Sequence, residues 1–137
     1  FFMVRRNKAW RKAFYDLFER VKLSNDVSFA CILNEMYRLT GNVEASFASK
    51  LLATLKPEMP IWDRYVVQNL GLKLPLDSNP RRIRKTEEAY EEIVAWYEVF
   101  LQTKNARQCI EEFDKMLPGY SWLSEVKKID FYLWSIR

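Results

Sequence analysis

The chain has 137 residues, 49% hydrophobic and 15% aromatic, enough for one core that buries roughly two thirds of the unfolded surface and too few to require a second domain. It has no histidine, which excludes Ser-His-Asp and Cys-His catalysis and most zinc sites, and its two cysteines cannot ligate an iron–sulfur cluster. The net charge of +4 and a pI near 9.1 favour an acidic partner, while no apolar run approaches the ~20 residues of a membrane span. The reading is a single domain over 1–137, cytoplasmic, with no membrane partner and no cofactor; a start at Phe1 leaves room for a longer parent chain. Helix-spaced apolar residues outnumber alternating ones, which predicts an all-α domain of roughly six to eight helices.

Residues 3–22 place Trp10, Phe14, Leu17, Phe18 and Val21 at spacings of three and four, one apolar helical stripe. Arg5, Arg6, Lys8, Arg11 and Lys12 precede the first acid, Asp16, and form a basic cluster suited to phosphate or to a solvated face. Ser24, Asn25 or Asp26 is expected to cap a second helix bearing Val27, Ala30, Cys31, Leu33, Asn34 and Tyr37, widened by Phe29, Ile32, Met36 and Leu39, and ending at Thr40-Gly41. Cys31 and Cys109 lie in helical patterns, where a thiol behaves as a small buried hydrophobe.

The stretch from Gly41 to Gly71 carries the most information. A helix from about Val43 to Leu55 breaks at Pro57 and Pro60, and Asp63 opens a second helix to Leu70. A carboxylate at a helix start accepts bonds from the free amides there, so Asp63 is expected to be ionised, oriented and at least half buried. Residues 73–85 read as a surface loop whose second half, Arg81, Arg82, Arg84 and Lys85, is a second basic cluster. Thr86 is expected to cap the longest helix, with Tyr90, Ile93, Val94, Tyr97 and Leu101 as its stripe. A helix from Ala106 to Leu117 stops at Pro118-Gly119, and a last one follows Ser124 with Val126, Ile129, Leu133 and Ile136. Asp130, among Ile129, Phe131, Leu133 and Trp134, must find donors, and a helix N-terminus or Arg and Lys side chains are the expected ones.

The order of glycine, small-residue helix, proline-containing loop and Pro60-Ile61-Trp62-Asp63 resembles the core motif of the helix-hairpin-helix DNA glycosylases, the superfamily of endonuclease III and 8-oxoguanine DNA glycosylase. The C-terminal helix resembles the end of a group of uncharacterised bacterial proteins related to the latter. The resemblance implies the glycosylase fold, double-stranded DNA as partner and base-excision repair as activity. In the family a Gly-hydrophobic-Gly turn holds a DNA phosphate on its backbone amides; here Gly41 and Val43 match, and Glu44 stands in place of the second glycine, where a carboxylate repels phosphate. The family's lysine position falls on Ser46. Lys50 lies one turn further on the same face. The family's aspartate, matched by Asp63, stabilises the cationic sugar and orients the attacking lysine or water.

Two functions follow. One is a DNA-binding, glycosylase-like protein using Arg81, Arg82, Arg84 and the Gly41–Ser46 turn for phosphate, with Asp63 and Lys50 for chemistry. The other is a non-catalytic helical module on the same fold that binds a protein partner. A metal-dependent hydrolase ranks below both, because the carboxylates form no ligand motif.

Overall fold

The computed structural model describes residues 6–24, 26–62, 67, 68, 71 and 80–135, with 80, 81 and 133–135 as backbone only. They form six α-helices: α1 (Lys8–Val21), α2 (Phe29–Thr40), α3 (Ala45–Leu55), α4 (Pro80–Phe100), α5 (Lys104–Met116) and α6 (Glu125–Ser135), with a 3₁₀ turn at Pro118–Tyr120. No described residue lies in a strand, in agreement with an all-α domain.

Four helices begin on a short polar side chain that accepts a first-turn amide. Asn7 accepts from Trp10 at 2.8 Å, Ser28 from Cys31 at 3.2 Å, Thr103 from Ala106 at 3.1 Å and Ser124 from Lys127 at 3.1 Å. Ser28 therefore caps α2 in place of the expected residues upstream, since the Ser24 hydroxyl is taken by the Asp26 amide at 3.3 Å, and Asn25 lies outside the described residues. Likewise α5 starts at Lys104 rather than Ala106. The second half of the expected 73–85 loop is helical: α4 begins at Pro80, a residue suited to a first helical position because that position needs no amide donor. Thr86 consequently sits buried in the second turn of α4 instead of capping it. Residues 73–79 of that loop lie outside the described residues.

α2 is the central element, packed against α1, α3 and α4, while α5 and α6 pair with each other. Its buried stripe is Phe29, Ile32, Leu33 and Met36. Cys31 is exposed, contrary to expectation, and so are Asn34 and Arg38 on the same side. The physical reason is area: Phe, Ile, Leu and Met at three- and four-residue spacing remove far more apolar surface from water than Ala30, Cys31 and Asn34, at about 25 cal/mol per Å². Phe14 and Leu17 from α1, Leu51 and Leu52 from α3, Ile93 and Tyr97 from α4 and Ile129 from α6 complete the interior. Cys109 is half-buried, and burial raises its thiol pKa.

Asp130 finds a donor in a phenol. The Tyr97 hydroxyl of α4 donates to Asp130 Oδ1, a neutral donor that was not among the helix start and basic side chains expected. Both residues are nearly inaccessible, and a neutral donor satisfies a carboxylate oxygen there without itself bringing a charge into the interior.

Candidate nucleic-acid interface

The turn from α2 to α3 is made by Gly41, whose φ of 74° lies in the left-handed region. A Cβ there would meet nothing within 4 Å, so the backbone conformation, not lack of space, selects glycine. The Gly41 N–H closes α2 on the Tyr37 carbonyl at 2.8 Å, and the Asn42 N–H donates to Thr40 Oγ1 at 3.2 Å. The next four amides, of Val43, Glu44, Ala45 and Ser46, have no acceptor among the described residues, and α3 carries no side-chain cap. Successive free amides at the positive end of a helix dipole form an arrangement that suits an anion.

Glu44 does not stand over those amides as a surface charge. Its side chain is only 7% exposed and turns inward to Arg6, Nη2 to Oε2 2.9 Å. The Arg6 guanidinium lies 5.1 Å from the Trp10 ring centroid and 5.6 Å from that of Phe47, and the Lys50 ammonium lies 5.9 Å from the same Phe47 ring. Stacked on aromatic faces, cations keep a fixed direction at little cost. Burial raises the Glu44 pKa above the usual carboxylate range, opposed by the charge of Arg6, by Trp10 beside it and by the charge of Arg82. Arg6 thus pairs with Glu44, Arg82 acts on the same carboxylate by its charge, and Lys50 lies over the neighbouring Phe47 ring.

Of the residues singled out in the sequence, Val43, Ser46, Lys50 and Arg82 come together here, with Gly41 shaping the turn. Arg84 is exposed and pairs with Glu88 at 3.5 Å on α4. The Arg81 side chain and Asp63, with its expected burial and helix start, lie outside the described residues; of the helix expected from Asp63 to Leu70, the described residues Val67 and Gln68 are helical and Val67 is buried. The approach to Asp63 is fastened from two sides. The Trp62 N–H donates to Ser49 Oγ at 2.6 Å, and the Tyr90 hydroxyl donates to the Pro60 carbonyl at 2.7 Å. Burial raises the pKa of Tyr90, with a smaller push from Asp130.

Phe47 and Trp10 are the site residues that sequence reasoning assigned only to core or left unremarked. Their use as cation supports depends on Arg6 meeting Glu44 across thirty-eight residues, for which no local signal exists. Among the described residues no group of three metal-ligating side chains occurs, and no helix is long and apolar enough to cross a membrane. No family model, no curated protein and no solved structure matches the chain.

Proposed function

We propose that the α2–α3 turn and the start of α4 bind the phosphate backbone of double-stranded DNA. The observation that carries this reading is the run of four unpartnered amides, Val43 to Ser46, beside the cations Arg6, Lys50 and Arg82. One phosphate sits on the amides and the guanidinium groups neutralise its neighbours. The resemblance of Gly41 to Gly71 to the helix-hairpin-helix glycosylases directs the reading to duplex DNA and extends it to base excision, with Asp63 as the electrostatic group.

Titration of a labelled duplex at several salt concentrations tests it. The affinity should fall with salt, with a log–log slope of about −0.9 per neutralised phosphate, and Arg82→Gln should make that slope shallower by about one contact. Absence of binding at low salt overturns the reading. For base excision, Asp63→Asn should abolish cleavage of a lesion-bearing duplex and Lys50→Gln should leave most of it. A lysine nucleophile needs a deprotonated amine held at the sugar; a borohydride-trapped adduct that disappears in the Lys50→Gln variant would assign that role to Lys50.

A second reading, the non-catalytic interaction module, draws on the surface between α5 and α6. Tyr120 and Phe131, both exposed, line an apolar cavity of about 370 Å³ between α5, the 3₁₀ turn and α6, and Met116 and Trp122 of the same stretch of chain are exposed as well. Clustered exposed aromatics mark interaction surfaces. This reading predicts no salt-sensitive duplex binding in the same titration.

A further inference from the structure

We propose that the groove between the start of α2 and the middle of α4 docks a helical segment of a protein partner that bears an apolar anchor flanked by Lys or Arg. The groove encloses about 320 Å³. Its floor is apolar: Phe29 and Tyr90 stack at 4.0 Å between centroids, with Met59 and Val94 beside them. Along the wall Glu87, Glu91 and Glu98 face the same space.

The charge pattern selects the occupant. Between Thr86 and Thr103 the chain has five glutamates and no lysine or arginine, although the protein as a whole carries +4. Neither Glu91 nor Glu98 has an ion-pair partner among the described residues, and Glu87 accepts only a neutral donor, Asn34 Nδ2 at 2.8 Å. A surface carboxylate with no partner next to an apolar floor is complementary to a segment that brings both an apolar side chain and a cation. The rest of the chain is net basic, so this acidic wall stands out against it. The spacing of the three glutamates, four and seven residues, extends over roughly 16 Å of helix, which matches about three turns of a partner helix laid along α4. Ala95 lines the same groove and keeps its wall low.

This inference is independent of the DNA reading, since it uses neither the α2–α3 turn nor the cations around Glu44. The test uses a fluorescein-labelled synthetic helix with leucines on one face and lysines flanking them, titrated into the full chain and followed by anisotropy. A companion peptide of the same composition has its leucines scattered around the helix. The patterned peptide should bind saturably and at least tenfold more tightly than the scattered one. Glu91→Lys with Glu98→Lys, both at exposed positions, should weaken it at least tenfold, whereas Glu111→Lys with Glu112→Lys on α5 should leave it within twofold. Circular dichroism confirms that each variant is folded. No binding of the patterned peptide, equal binding of the two peptides, equal loss in both charge-reversal variants, or full competition by a small organic cation such as tetramethylammonium would each overturn the proposal.

Discussion

Two carboxylates among the described residues are taken out of water, and the fold treats them differently. Glu44, at the start of α3, is met by the guanidinium of Arg6, whose own side chain is 40% exposed, and lies within the influence of Arg82. Asp130, in the middle of α6, is met by the hydroxyl of Tyr97 inside the core. The first arrangement is a charged pair at a boundary, where water still reaches one partner and the pairing can be exchanged for another anion. The second is a polar contact between two helices, made by side chains that are both nearly inaccessible. An ion pair at an edge is adjustable, whereas a phenol–carboxylate bond in the interior fixes a helix position.

The interior contact should be the more costly to break. Tyr97→Phe removes the hydroxyl and keeps the ring, so its effect isolates the loss of a donor to a buried carboxylate, about 2–4 kcal/mol. Urea denaturation should show this as a lower midpoint with an unchanged slope. If the variant is as stable as the parent, Asp130 is satisfied without Tyr97 and the contrast between the two sites fails. Burial, and secondarily the charge of Asp130, raises the Tyr97 pKa, so the phenol stays a donor throughout the working pH range.

Next in size is Ser49→Ala. Ser49 is fully buried on α3, and its hydroxyl accepts the Trp62 amide. An alanine leaves that amide inside without an acceptor, at a cost of about 1–3 kcal/mol. This change lies between the two regions: it loosens the segment that leads to Asp63 without touching Glu44 or Asp130. Hydrogen exchange at the Trp62 amide should accelerate more than exchange in α6, and equal acceleration would show that the effect is global.

How much of this was visible beforehand follows the range of the interactions. The apolar stripe of α1, the Gly41 turn and the broken region after α3 are written in residues three to seven apart, and the fold keeps them. The face of α2 was misassigned because periodicity alone does not say which of two adjacent stripes meets the neighbouring helices; Cys31 lost to Ile32 on size. The start of α4 was misplaced because Pro80 reads equally as a loop residue and as a first helical residue. Tyr97 as the donor to Asp130, and Arg6 as the partner of Glu44, join residues thirty-three and thirty-eight positions apart. Neither pairing leaves a mark in local sequence.

At the basic end the effects should appear in binding rather than in stability. Arg82→Gln with Arg84→Gln should weaken duplex binding several-fold at low salt and flatten its salt dependence by up to two contacts, with little change in the urea midpoint. Tyr97→Phe should do the reverse, lowering stability while leaving the salt slope of the folded protein unchanged. If both variants move both quantities, the two regions are not separable.

The smallest effect, and the most informative about Glu44, is its response to pH. Burial raises the folded-state pKa of Glu44, so the folded chain holds that proton to higher pH than the unfolded chain does. Its contribution to stability is therefore fully present below the unfolded pKa and is lost as pH rises through the folded one. Glu44→Gln removes the titration. At neutral pH the variant should lie within about 1 kcal/mol of the parent, because Arg6 is exposed enough to be hydrated once its partner is neutral. On acidification into the carboxylate range the parent should gain stability relative to the variant; a gain in the opposite direction would mean that the Arg6 pairing outweighs burial. The same proton should act on DNA. A neutral Glu44 leaves Arg6 without a counter-charge beside the free amides of Val43 to Ser46, so the parent should bind duplex more tightly as pH falls, while Glu44→Gln binds tightly already at neutral pH and responds less. Identical pH profiles for the two proteins would place Arg6 outside the DNA contact and leave Arg82 and Lys50 to carry it.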